Sequence, residues 1–172
     1  MRTFLDKLYL ASGFLSGSCI VLITLIITAQ IVGRMFGFII PSAEDFSGYA
    51  LAAATFFGLA YTFRQGGHIR VTLVIQNWSR ASRYIQELMV LLFGLALVSF
   101  MTFYSAHMVW ESYIFEEVSS GYVSVPIWMP QVPVALGILV LNIAILDDVI
   151  AMLRRRAPSY KAHESELHLE EV

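Results

Sequence analysis

LYLASGFLSGSCIVLITLIITAQIVG, residues Leu8 to Gly33, contains no charged side chain. About 18 apolar residues suffice to cross the ~30 Å hydrocarbon core of a bilayer as a helix. A helix is the form required, because hydrocarbon offers no partner to a free backbone N–H or C=O. The run is well beyond the ~7–15 residues of a signal-peptide core, and no A-x-A-like site follows it. It is expected to stay as an anchor. Three more uncharged runs follow: Phe46–Phe63, Leu88–Trp110 and Val118–Leu146, the last spanning from Pro126 onward. The chain therefore reads as an all-α integral membrane protein with four transmembrane helices.

The Lys and Arg residues sort by segment. Arg2 and Lys7 precede span 1; Arg64, Arg70, Arg80 and Arg83 lie between spans 2 and 3; Arg154, Arg155, Arg156 and Lys161 follow span 4. Arg34 alone lies between spans 1 and 2, and the 3–4 connection has Glu111, Glu116 and Glu117 but no base. An even number of spans and the positive-inside rule agree on two cytoplasmic termini. Trp110, Tyr113, Tyr122 and Trp128 would form an aromatic belt on the opposite side.

Composition bounds the function. Hydrophobic residues make up 58% of 172 residues and mean hydropathy is +0.69, too apolar for a soluble domain of this size. Residues 1–156 are expected to form one membrane domain and 157–172 a polar cytoplasmic tail, with no room for a soluble catalytic domain. The single cysteine, Cys19, cannot form an internal disulfide. Arg154–Arg156 could touch anionic headgroups or act only as a topology determinant.

Before span 1, Phe4, Leu5, Leu8 and Tyr9 share one helical face and Arg2, Thr3, Asp6 and Lys7 the other, which suggests a short in-plane turn. Within span 1, Gly13-x-x-x-Gly17, with Ser12 and Ser16 alongside, would let two helix backbones approach. Ser42 is placed to N-cap span 2, with Asp45 in the capping-box position. Ala50, Ala54 and Gly58 then lay a small-residue stripe along one face of span 2, suited to a partner helix. Arg64-Gln65-Gly66-Gly67-His68 reads as a tight turn. Beyond it, Val71, Val74, Ile75, Trp78, Ser82 and Ile85 share a face while Arg70, Gln76, Asn77, Ser79, Arg80 and Arg83 occupy the rest, with Leu73 the exception. That pattern predicts an amphipathic interfacial helix between spans 2 and 3, with Arg70, Trp78, Arg80 and Arg83 at headgroup depth; the alternative is an ordinary loop. Pro126 and Pro130 suit the opening of span 4, and Pro133 should bend or loosen its start.

Catalytic chemistry is not visible. Ionisable residues at mid-membrane are costly and mark function, and the middles of all four spans lack them. Asp147 and Asp148 stand at the end of span 4 beside Arg154–Arg156 and read as interfacial. His107 and Glu111 are one turn apart and could pair, although a satisfied interfacial histidine is the preferred reading. His107 is the one histidine within a span, so haem ligation from two sides has no residues to supply it. Gln30, Asn142 and the span hydroxyls would bond between helices. No enzyme activity, cofactor, metal site or nucleic-acid partner is expected.

Three segments carry a family resemblance over nearly the whole chain. Glu44 enters span 2. Phe57-Gly58-Leu59-Ala60 is followed by Arg64 and by Gly67-His68-Ile69-Arg70-Val71, similar to an F-x-G-x-A…R…H-I-x-V signature. Pro126-Ile127-Trp128-Met129-Pro130, with Pro133 and Gly137, opens span 4. Together they resemble the small membrane subunit of a tripartite ATP-independent periplasmic (TRAP) transporter. Thr72 departs from the pattern, since many relatives carry Asp after the H-I-x-V unit. The resemblance implies a bacterial inner-membrane complex. In it a periplasmic receptor captures an organic acid or similar solute, a large permease carries it with sodium, and the small subunit is a scaffold bound to that permease. Membrane lipids are the remaining expected partner. A free-standing oligomeric carrier or channel is the other function class.

Overall fold

The structure is a computed structural model that describes residues 2–65 and 80–154, with the backbone alone at 2–4, 80, 81 and 83. Of the proposed interfacial helix, residues 70–79 with Arg70 and Trp78 lie outside the described residues, as do His68, the side chains of Arg80 and Arg83 and the tail 157–172; the backbone from Arg80 onward is the start of a spanning helix.

Four helices carry the fold: α1 (Arg2–Met35), α2 (Ala43–Arg64), α3 (Arg80–Ile114) and α4 (Trp128–Leu153). Each is long and apolar enough to cross a membrane. At 34 and 35 residues, α1 and α3 extend for about 50 Å and overshoot the ~30 Å core.

The helices form an open row rather than a closed bundle. α2 lies between α1 and α4, α4 lies between α2 and α3, and α1 touches α4 only marginally. The two inner helices are accordingly the more buried, and the flanking α1 and α3 turn Leu, Ile, Val, Phe and Met side chains outward. In water that surface would be untenable, whereas in a bilayer it meets lipid or another apolar protein. An apolar core of Leu91 from α3 with Ile145, Val149 and Met152 from α4 sits towards the end where α4 stops, with Phe63 of α2 packed against it.

The expected in-plane turn before span 1 is not formed. α1 runs unbroken from Arg2, because nothing before Gly13 interrupts a helix and because α2 holds the polar face. Asp6 pairs with Arg64, and Tyr9 is only 2% exposed beneath that guanidinium.

The connections are short and specific. Gly37, at φ +80°, ends α1 in a Schellman-type turn: Phe38 N–H donates to Gly33 O at 3.1 Å and Gly37 N–H to Arg34 O at 3.2 Å. Ser42 does precede α2, but at φ 56° and without a capping bond from its side chain. The capping box is thus replaced by a tether. The Ser42 hydroxyl accepts from Val123 N–H at 2.9 Å, so it holds the 3–4 connection instead of the helix. That connection closes through a single bridge, Val118 to Pro126, with Ser119 N–H donating to Val125 O and Ile127 N–H to Glu117 O, each at 2.9 Å.

Candidate functional site

Polar contacts between helices are the chemistry this chain presents, and the densest lies where α1 begins and α2 and α4 end. Arg64 is the last residue of α2. Its Nη2 reaches Asp6 Oδ1 of α1 at 2.6 Å, its Nη1 reaches Asp147 Oδ2 of α4 at 3.1 Å, and its Cζ stands 4.9 Å from the Tyr9 ring centre. A guanidinium suits this task because its planar fork offers separate N–H donors to two carboxylates while its face stacks on an aromatic ring. With 18% of its side chain exposed, Arg64 is shielded enough for these bonds to exceed ordinary surface pairs. The two acids at the end of α4 have different surroundings. Asp147 is taken by Arg64, and Asp148 is buried at 1% exposure.

Deeper along α1 and α2, small residues bring the backbones together. The Ser16 hydroxyl donates to Ala54 O at 2.7 Å and the Ser12 hydroxyl donates to Phe57 O. A Cβ at Gly58 would lie 3.0 Å from Ser16 Oγ, and one at Gly13 would lie 2.7 Å from the Tyr61 ring. At Gly17 it would meet open space. Ala50 and Ala54 are buried. The stripe of α2 thus meets α1 of the same chain, and the seam partners are Ser12, Gly13 and Ser16, not Gly13 and Gly17. On the other side of α2, Gly137 of α4 lies directly on backbone: its Cβ would be 2.6 Å from the carbonyl carbon of Phe56.

Asn142 clamps α4 to α3, its amide donating to Ser99 Oγ and Thr102 Oγ1, each at 3.1 Å. At the loop end, Trp128 of α4 packs edge-on against Tyr113 of α3 with ring centres 5.8 Å apart. Pro130 lies in the first turn of α4, where a missing N–H costs nothing, and Pro133 lies further inside the helix. Pro126 holds the bridge to Val118. Glu44, at the start of α2, faces α1: Gln30 Nε2 stands 3.5 Å away and Arg34 Nη2 3.6 Å. Both members of that ion pair are well exposed. Arg34, Ser42, Glu44, Asp45 and Tyr122 line a cleft of about 460 Å³ at this end. His107 and Glu111 do pair, at 3.3 Å, on the outer surface of α3.

Among the described residues no group of three or more His, Cys, Asp or Glu side chains is placed to hold a metal ion. The arrangement ties four helices together. Sequence reasoning missed the Gly137–Phe56 approach and the burial of Tyr9. Gly137 carried no signal beyond its place in the segment that opens span 4, and Tyr9 none beyond its amphipathic setting.

Comparison with known families gives one result. Residues 23–155 match the family model described as tripartite ATP-independent periplasmic transporters, DctQ component. The match covers α2, α3, α4 and the second half of α1, and leaves out Asp6, Tyr9 and the serine seam of α1. No curated protein matches the chain.

Proposed function

The chain belongs to the family of DctQ components of tripartite ATP-independent periplasmic transporters, and on that premise we propose that it is the scaffold for the large permease subunit of such a transporter. Membership makes it a transporter component and not an enzyme. The proposed complex is a sodium-coupled, receptor-dependent secondary transporter for organic acids or similar solutes. It would stand in a bacterial inner membrane, with both termini of this subunit cytoplasmic and a soluble receptor delivering solute from the other side. The segment with Arg70, Trp78, Arg80 and Arg83 would lie at the cytoplasmic interface against lipid headgroups.

One observation favours a static support: the open row is fastened at both ends and in the middle. Arg64 binds three helices at one end, Gly137 seats α4 on the α2 backbone, and Ser42 ties the 3–4 connection to the start of α2 at the other. Packed and hydrogen-bonded contacts of this kind resist relative helix motion. The row also leaves both flanks apolar and open, which a partner inside the bilayer can cover.

The test is co-expression with a large permease subunit from the same organism, followed by purification and reconstitution with the receptor. The expected outcome is a stable complex whose sodium-driven uptake is lost when this subunit is omitted, together with no flux from this chain alone. Flux from the isolated chain would favour the free-standing carrier or channel instead.

A further inference from the structure

A shallow groove of about 550 Å³ runs between α1 and α2 where α1 begins, lined by Lys7, Leu10, Ala11, Gly13, Phe14 and Tyr61. Tyr61 lies against the bare backbone of Gly13, which brings the two helices close there, and Ala11 adds little bulk. Leu10 and Phe14 are 64% and 77% exposed. The groove has one charged lining residue, Lys7. Lys7 is exposed and, among the described residues, pairs with no carboxylate, whereas the neighbouring Asp6 is taken by Arg64.

Depth gives this pattern its meaning. The uncharged run of α1 begins at Leu8, so Lys7 stands at the edge of the hydrocarbon and its ammonium reaches the headgroup layer. Phe14 lies about 10 Å further along the axis, at acyl-chain depth. The groove is thus cationic at headgroup level and apolar below it, the profile of an acidic amphiphile.

We propose that this groove is a binding site for one anionic phospholipid, its phosphate on the Lys7 ammonium and one acyl chain along Ala11, Phe14 and Tyr61. Charge complementarity favours the lipid: one molecule brings both an anionic phosphate for Lys7 and an acyl chain for the apolar part. The site rests only on the chain spanning a membrane, so its failure would leave the transporter reading untouched.

Native mass spectrometry of the full chain in detergent, delipidated and titrated with phosphatidylglycerol or phosphatidylcholine, tests the assignment. The first phosphatidylglycerol should bind about fivefold more tightly than the first phosphatidylcholine, the factor that one basic residue contributes near an anionic headgroup. With Arg70→Gln, Arg80→Gln and Arg83→Gln as background, so that the bases of the interfacial segment do not contribute, Lys7→Gln should abolish that preference. Ala11→Phe, or Ala11→Leu if the larger residue impairs folding, should weaken the first phosphatidylglycerol about as much by filling the groove. Arg34→Gln, at the opposite end of α1, should change nothing. Equal binding of the two lipids by the unaltered chain would overturn the proposal. So would loss of the preference in Lys7→Gln with no effect of either Ala11 variant, which would mark unspecific surface charge. A photo-crosslinker at Leu10 that captures protein in native membranes would also overturn it, by showing the groove to be covered by a partner.

Discussion

Arg64 is the residue on which most of the polar order depends, and its substitution separates charge from geometry. Replacing it with Gln removes the cation facing Asp147 and Asp6 at once. Exposed pairs contribute about 0–1 kcal/mol and broken buried ones cost about 3–5 kcal/mol. A half-shielded node should fall between, at roughly 2–3 kcal/mol. Arg64→Lys should recover only part of this, because a single ammonium cannot reproduce a fork to carboxylates on two helices. Thermal unfolding in detergent, followed by size-exclusion, should rank the chains wild type, Arg64→Lys, Arg64→Gln. Arg34→Gln, whose pair with Glu44 is 61% and 80% exposed, should remain near wild type. A Lys variant as stable as wild type would show that charge alone suffices at this position. Glycine is the second residue-scale test, because the three positions meet different neighbours. Gly137→Ala drives a methyl into the Phe56 backbone, which cannot step aside, and should cost about 1–3 kcal/mol. Gly58→Ala meets a serine hydroxyl that can rotate away once it gives up its bond to Ala54, so the loss should be smaller. Gly17→Ala has open space and should be silent. If Gly58→Ala proved the most harmful of the three, α2 would owe its position to α1 rather than to α4.

At the scale of elements, apolar run length made the four helices readable, while helix order in the row was not. Uncharged runs report what must leave water, and that criterion finds spans whatever their neighbours. Neighbour choice depends instead on single close approaches such as Gly137 on Phe56, which no periodicity reveals. The serine seam shows the same limit. Gly13 and Gly17 share a spacing, yet only Gly13 faces α2, because the seam is set by where Ser12 and Ser16 find carbonyls. Asp45 was legible as a helix-capping acid, but the tertiary contact overrode the local one: Ser42 serves Val123, and a Cβ at Gly121 would collide with the Asp45 carboxylate. Arg64 was legible as a family residue and not as a node, since its partners lie on two other helices. The proposed brace between α2 and α3 belongs to this scale as well. Changing Arg80 and Arg83 together to Glu replaces lipid-phosphate attraction with repulsion, each base being worth on the order of 1 kcal/mol at an anionic surface. Uptake or assembly should fall while the receptor's affinity for its solute stays the same, as equilibrium binding to the isolated receptor would report. Normal uptake at equal expression would show the brace to be dispensable.

For the whole molecule, the open row and the charge division bear on the same question, namely how the subunit sits in the bilayer. The Arg64 node, the bond from Tyr84 Oη to Met152 O and the core at Met152 gather the start of α1, the end of α2, the start of α3 and the end of α4 at one end. The described bases of that end include Lys7, Arg64 and Arg154, and the opposite end has Arg34 with Glu44, Glu111, Glu116 and Glu117. A chain inserted the other way would have to translocate the basic segments and keep the acidic connection inside, against the bias that governs short loops. Both termini are therefore expected in the cytoplasm. With Cys19→Ser as background, single cysteines at Ser119, in the 3–4 connection, and Ser165, near the C-terminus, should react oppositely with an impermeant maleimide applied to intact cells with a permeable outer membrane. Ser119→Cys should be labelled from outside, and Ser165→Cys only after lysis. Labelling of both from outside would break the four-span topology. Labelling of Ser165→Cys alone would invert the subunit, and with it the face that the proposed phospholipid groove and the interfacial segment present to the cytoplasm.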